Sequence, residues 1–287
     1  MPAVAGIYYS LFDGGQKEQP PVILLHGAGS SHLVWPACIR RLAGQRVFAL
    51  DLPGHGKSTG YGLQSISAYS DQLVEFLAAL GLYQAVFVGH GMGGAIAIEM
   101  AVRHPSHTAG LGLIATGAYL GIPPEMVEAF TNPITLGGAL HSFRQKAFGP
   151  ATPPTFIEQH LEGMKKTRPS VLAADWFAAA QFDRREAISQ VNIPTWVIVG
   201  SEDRLTPVAF AHFLAGRIPA ARLQIIPGAS HMVILEQPER VAQGLQQFLN
   251  ALFTARRAGT LPTSLPAAHP ATPNFTPPNL TDLDNQR

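Results

Sequence analysis

Two side chains late in the chain are suited to moving a proton: Asp203 in the turn GSEDRLTP and His231 in PGASHM, each following an apolar run. An imidazole with an ordinary pKa of about 6.5 takes up and returns a proton at neutral pH. A carboxylate beside it fixes the tautomer and supports the imidazolium. The third candidate is the stretch VFVGHGMGG at 86–94, where a hydrophobic strand runs into a glycine-crowded corner and then a helix. In a G-x-S-x-G turn of this setting the middle residue presents a nucleophilic hydroxyl. Here that residue is Gly91, so the proton-transfer groups stand without an attacking side chain.

The elements that must position these residues follow from the apolar pattern. The runs VILLHG (22–27), RVFALD (46–51), QAVFVG (84–89), GLGLIAT (110–116), TWVIVG (195–200) and LQIIPG (223–228) read as strands, mostly separated by helical segments. Continuous apolar strands alternating with helices predict an α/β fold, a mostly parallel central sheet with helices on both faces. In SAYSDQLVEFLAALG, Leu73, Phe76, Leu77 and Leu80 recur at i, i+3, i+4 and i+7, with Gly81 as the stop. A second helix is expected from Met92 to His104, halted by Pro105. The carboxyl ends of parallel strands share one edge, so HGAG (26–29), GHGMGG, GSEDRLTP and GASHM converge there although distant in sequence. Between Thr116 and Asn192 the strand rhythm stops. Pro-Pro pairs and the amphipathic pieces FIEQHLEGMKK and VLAADWFAAAQF predict a helical insertion lying as a lid over that edge. The expected organisation is a core of 1–116 and 192–254, a helical cap of 117–191, and a disordered Pro- and Thr-rich tail of 255–287.

Composition narrows the function classes. With 287 residues and 46% hydrophobic content, one α/β domain with an insertion is the natural size. The formal charge of +1, with Lys and Arg scattered, gives no electrostatic case for nucleic acid or an anionic membrane, and points to a small or neutral partner. Cys38 is the single cysteine, which excludes an internal disulfide and suits a reducing cytosol. The first residues lack a basic region followed by an apolar stretch, and no apolar run approaches the roughly 18 to 20 residues of a membrane span. A cytoplasmic protein is expected. The N-x-T tripeptides beginning at Asn274 and Asn279 read as chance matches.

Two decoys share the glycine-rich segments. Gly89, Gly91 and Gly94 satisfy the dinucleotide spacing G-x-G-x-x-G, but that site needs a carboxylate about 20 residues on, and the following strand ends LIATGAY without one. GHGKS at 54–58 resembles the end of a phosphate-binding loop, yet Asp51 stands where its first glycine belongs. No cofactor is expected, and no histidine spacing makes a metal site. His26 is expected to brace the HG loop, Asp51 to tie the DLPGHG turn, and Glu99 to lie on a solvated helix face. Phe143, Phe148, Trp176 and Phe177 are expected either to line a pocket beneath the lid or to pack in the core. Ser30, Ser31 and Ser230 lie near the converging loops, none of them on the turn at 91.

Taken together, HGAG, DLPGHGKS, GHGMGGAIAIEMA, GSEDRLTP and PGASHMVILEQPE resemble the α/β-hydrolase superfamily, in its branch of small capped serine esterases, lipases and related acyl hydrolases. The resemblance runs from about Ile7 to Phe253. It implies the α/β-hydrolase fold with a helical cap, Asp203 as the acid, His231 as general base, the backbone amides of Ala28 and Met92 as the oxyanion hole, and Gly91 in the nucleophile's position. Glycine tolerates the strained backbone of that turn, so the fold has no need of a hydroxyl there. Four accounts stay open. His231 activates water or abstracts a substrate proton; the chain is a lidded binding protein without catalysis; a Ser-to-Gly change was introduced to trap substrate; or a nucleotide is bound. The expected ligand is a small apolar ester or acyl compound, and the sequence implies no oligomeric state.

Overall fold

The computed structural model describes residues 3–150 and 152–260. Its strands are β1 (Ala3–Val4), β2 (Ile7–Asp13), β3 (Val22–Leu25), β4 (Arg46–Leu50), β5 (Ala85–His90), β6 (Thr108–Ile114), β7 (Thr195–Gly200) and β8 (Ala221–Ile226). They form one sheet in the order β1, β2, β4, β3, β5, β6, β7, β8. β2 pairs antiparallel with β1 and β4, and every pair from β4 to β8 is parallel. The six apolar runs are all strands, with ends shifted by at most two residues. Only β1 and β2 were not expected. On β2 just Ile7 and Tyr9 are buried, so its run is too diluted by partly exposed residues to read as a core strand.

The central strands are apolar throughout because alternate residues enter two different cores. Val22 and Leu24 face one core and Ile23 and Leu25 the other; Val47 and Ala49 alternate with Phe48 and Leu50 in the same way. The connecting helices are α1 (Ala37–Arg40), α2 (Ile66–Ala79), α3 (Met92–Arg103), α4 (Pro124–Thr131), α5 (Leu136–Ala147), α6 (Pro154–Lys166), α7 (Pro169–Ala180), α8 (Val208–Arg217), α9 (Val233–Glu236) and α10 (Pro238–Arg257). Residues of α1 and α10 fill the first core, and residues of α2, α3 and α8 the second. α2 shows how sequence makes an element here. Ser65 caps it by accepting from the Ala68 amide at 3.1 Å, a contact of about 1 kcal/mol. Leu73, Phe76 and Leu77 are buried in one stripe, and Gly81 ends the helix at φ +65°.

Between β6 and β7 the chain forms α4 to α7, and the only pairing is a single antiparallel bridge between Tyr119 and Asp183 among the described residues. Glu99 corrects the sequence reading. It is fully buried, not solvated, and accepts from Nε and Nη2 of Arg184, each at 2.7 Å, and from Ser67 Oγ at 2.6 Å. The amphipathic pattern of α3 could not show this, because Arg184 comes from 85 residues away and supplies the missing solvation. Residues 255–257, expected to belong to the tail, are helical, since Leu245, Phe248, Leu249 and Leu252 carry α10 on to Arg257. Beyond residue 260 that tail, with Asn274 and Asn279, lies outside the described residues. Among the described residues no helix is long and apolar enough to cross a membrane.

Candidate active site

β5 ends at His90 and α3 begins at Met92, so Gly91 alone turns the chain, at φ +54° and ψ −118°. That region is strained for any residue with a Cβ. Its peptide is clamped, the Gly91 amide donating to the Ile114 carbonyl at 3.1 Å and its carbonyl accepting from Thr116 Oγ1 at 2.8 Å. The neighbouring glycines have a different purpose. A Cβ on Gly89 would lie 2.1 Å from the Gly93 carbonyl oxygen, and one on Gly93 would lie 2.2 Å from that of Leu25. They let α3 settle onto β3 and β5. At Gly91 a Cβ would stand 3.5 Å from Nε2 of His231, an ordinary contact, and apart from its chain neighbours only that ring among the described residues comes within 4 Å.

His231 is held from behind by the turn after β7. Its Nδ1 lies 3.1 Å from Asp203 Oδ2, which also accepts from Thr206 Oγ1 at 2.7 Å. Asp203 Oδ1 accepts from the Leu205 and Thr206 amides at 2.9 and 2.8 Å. Burial alone would raise this carboxyl, but the charge and hydrogen bond of His231 and the donors of Thr206 hold it below its ordinary value. An ionised Asp203 can only accept, which assigns the proton to Nδ1 and leaves Nε2 as the acceptor beside Gly91. His90 supports the same ring: its Nε2–H donates to the His231 carbonyl at 2.9 Å, with ring centroids 4.7 Å apart. Burial, then the charge of His231, pushes His90 down to about 3, so it stays neutral.

Ala28 and Met92 line the same cavity as His231. Neither backbone amide donates to a described residue, and Met92 is the first residue of α3, where helix amides have no internal partner. The cavity measures about 380 Å³ and is lined in part by Met126 of α4, Phe143 of α5, His160 of α6 and Trp176 of α7. Trp176 stacks on Phe130 at 4.0 Å, and its indole N–H is buried without a partner among the described residues. Of the four aromatics, Phe143 and Trp176 line the cavity, Phe148 takes the core-packing alternative, and Phe177 does neither. Phe148 packs edge-on behind Phe143 at 6.5 Å and does not line the cavity. Phe177 is 46% exposed on the outside of α7, as a residue one step (about 100°) round the helix from Trp176 must be.

His26 and Asp51 brace loops. His26 Nε2 accepts from the Leu52 amide at 3.0 Å and Nδ1–H donates to the Gly27 carbonyl at 2.8 Å; Asp51 takes the His32 and Lys57 amides at 2.8 and 2.9 Å. Sequence reasoning missed Asp175. This fully buried carboxylate on α7 accepts from the Gly29 amide at 2.8 Å, His55 Nε2 at 2.7 Å and Tyr69 Oη at 2.6 Å, tying α7 to the loop that carries Ala28. The available signal was a lone acid in the otherwise apolar helix VLAADWFAAA. Among the described residues no cluster of three or more His, Cys, Asp or Glu could hold a metal ion.

Known proteins share this arrangement of elements. The profile of the alpha/beta hydrolase family matches residues 22–244. A pimeloyl-[acyl-carrier protein] methyl ester esterase of Aromatoleum aromaticum is 33% identical over 245 residues, covering 78% of this chain and 96% of that protein. One from Vibrio vulnificus is 27% identical, covering 81% and 95%. A thermophilic esterase from Thermogutta terrifontis, solved with malate bound, superposes with a TM-score of 0.77 at 28% identity, covering 86% of this chain and 94% of that one.

Proposed function

The chain belongs to the alpha/beta hydrolase family, and we propose that it is an ester hydrolase in which His231, oriented by Asp203, activates a water molecule in the notch beside Gly91. In this reading the amides of Ala28 and Met92 hold the substrate carbonyl oxygen. Water sits between His231 Nε2 and the carbonyl carbon. As its oxygen attacks, its proton passes to Nε2 and the carbonyl electrons move onto the oxygen held by the two amides. Collapse of that tetrahedral species breaks the bond to the alcohol oxygen, which takes the proton back from Nε2, leaving acid and alcohol. Each oxyanion donor is worth about 3 to 4 kcal/mol in the transition state. Without a covalent step, acceleration over water stays on the order of 10³ to 10⁴.

The observation that carries the reading is the 3.5 Å between Nε2 and the position of a Cβ at residue 91. One more atom at that place would be an oxygen within hydrogen-bond reach of the base. Gly91→Ser supplies it on a backbone already in the required conformation. Hydrolysis of 4-nitrophenyl butyrate by Gly91→Ser is expected to exceed that of the natural chain by roughly 100-fold or more, with a burst of 4-nitrophenol as an acyl-serine accumulates. A folded Gly91→Ser protein with no gain would sink the assignment of His231 as base and leave a lidded binding cavity.

A further inference from the structure

α6 brings to the site a histidine that the hydrolytic reading leaves unused. His160 lines the inner cavity together with His231, near enough that the charge of His231, after burial, pushes His160 down to about 4. Its ring lies against Phe143 at 6.1 Å and edge-on to Phe148 at 5.8 Å, and its nitrogens meet no hydrogen-bond partner among the described residues. A neutral imidazole fixed by two aromatic rings, with both nitrogens unspent, is a ready contact for a ligand.

Beyond His160 lies a second cavity of about 720 Å³, sharing Ser30, Val34 and His160 with the first. The inner chamber sets Leu120, Met126 and Trp176 beside Lys146, Arg204 and the acid Glu125, whereas this one presents Ser31, Ser58, Thr59 and Gln159 with two cations, Lys166 and Arg168, and no carboxylate among its described lining residues. Carbonyls of Gly54 and Gly60 hold the Arg168 guanidinium in place without neutralising it. Lys166 makes no ion pair among the described residues. Glu162, whose carboxyl also feels the charge of Lys166, pairs with Lys165 at 2.6 Å, and Asp51 pairs with His32 at 2.8 Å.

The proton that completes ester hydrolysis returns from His231 to the alcohol oxygen, so the alcohol part must lie on the histidine side, where His160 leads outward. We propose that the outer cavity binds the alcohol part of the substrate, that this part is polar and negatively charged, and that His160 hydrogen-bonds the ester where it passes between the chambers. The proposal names the substrate class of the reading above and rests on it for which half of the ester lies where. Acyl groups of modest size fit the inner chamber, and the outer chamber leaves room for a larger alcohol.

The test uses three butyrate esters that differ only in the leaving phenol, which carries a 4-sulfonate, no substituent or a 4-trimethylammonium group. The three free phenols are also titrated into the natural chain by calorimetry, which needs no turnover. The sulfonate is expected to bind roughly 10-fold more tightly than phenol and the trimethylammonium compound more weakly, with the preference shrinking in high salt. Lys166→Glu, an exposed change, is expected to abolish or invert the preference. His160→Ala is expected to raise KM for all three esters while His160→Gln, which keeps a hydrogen-bonding group, restores part of the loss. Discriminated phenol binding with no ester turned over would support the outer site while the hydrolytic reading fails. Turnover of all three esters alike, with equal binding of the phenols, would overturn the outer site while the hydrolytic reading stands. Retention of the full preference in Lys166→Glu would overturn it as well.

Discussion

Three histidine-aspartate pairs are buried within the same fold. Beside His32 and Asp51, which brace a loop, stand two whose contrast bears on the site, and the closer of those two is not the one that faces the cavity. His55 and Asp175 meet at 2.7 Å, His231 and Asp203 at 3.1 Å. The difference lies in the second ring nitrogen. His55 Nδ1 lies 3.1 Å from the Pro53 carbonyl, an obligate acceptor, while Nε2 faces the Asp175 carboxylate, so both nitrogens donate and the ring holds its proton. Burial opposes that charge, but the charge and hydrogen bond of Asp175 together with the backbone hydrogen bonds of Pro53 and Leu52 outweigh it, and His55 is shifted above its ordinary value. In the other pair only Nδ1 is committed, and Nε2 looks past Gly91 into the cavity. Of these two pairs, the one with both nitrogens spent immobilises a charge, and the one with a nitrogen left over at the cavity can move a proton.

Exchanging the two pairs by mutation should break them in different currencies. Made in the Gly91→Ser background, His231→Ala and Asp203→Asn are each expected to lower kcat on 4-nitrophenyl butyrate by roughly 10³ to 10⁴-fold in the protein that remains folded, whatever stability the lost Asp203 carboxylate contributed. In the natural chain His231→Ala should remove whatever turnover is measured. Asp175→Ala is expected to act on stability first, by about 3 to 5 kcal/mol in urea unfolding, because it strands His55, Tyr69 and the Gly29 amide in a dry interior. If Asp175→Ala left stability intact and removed activity, the distinction between the pairs would fail.

Much of this was legible in the sequence, and the limits have physical causes. The six central strands declare themselves because burial on both faces makes them continuously apolar, whereas β2, buried on alternate residues near the edge, does not. Asp203, His231 and Gly91 could be placed at one sheet edge because strand ends of a parallel sheet lie side by side. What spacing cannot carry is the pairing of distant polar groups. Glu99 looks solvated until Arg184 is brought to it, and His55 lies 120 residues from Asp175. Nor does sequence say which nitrogen of a histidine is free, which is the property that separates the two pairs.

The pairs should also respond oppositely to pH. His55, raised by its partner, contributes stability that is fully present below pH 6.5 and is lost as pH rises through its folded value. Asp203, lowered, contributes stability present above its unfolded value near 3.8 and lost as pH falls through the folded one. Neighbours of both pairs behave as neutral buried rings. His26 beside His55 is held down to about 4, by burial and then by the charge of His55, and His90 beside His231 to about 3. The unfolded chain protonates these rings near pH 6.5 and the folded chain does not, so stability is expected to fall on acidification between about 6.5 and 4. Each ring adds a slope of about 1.4 kcal/mol per pH unit in that window. Urea unfolding of the natural chain at pH 8, 6 and 5 measures the slope, and His90→Gln should reduce it. An unchanged slope would mean that His90 is not buried as a neutral ring.

The smallest expected effect is the sharpest test of the notch. Gly91→Ala places a carbon where Gly91→Ser places a carbon and an oxygen, on the same backbone. At φ +54° the added Cβ is strained, so a loss of about 1 kcal/mol or slightly more in urea unfolding is expected for either substitution. Neither should disturb packing, since beyond its chain neighbours the His231 ring alone among the described residues lies within 4 Å of the new carbon, at ordinary contact distance. The two variants should therefore match in stability and part in chemistry: alanine occupies the space assigned to water and lowers turnover, while serine raises it. Equal activities for alanine and serine would show that the oxygen at this place does not react, and that Nε2 of His231 has no advantage over the spent nitrogens of His55.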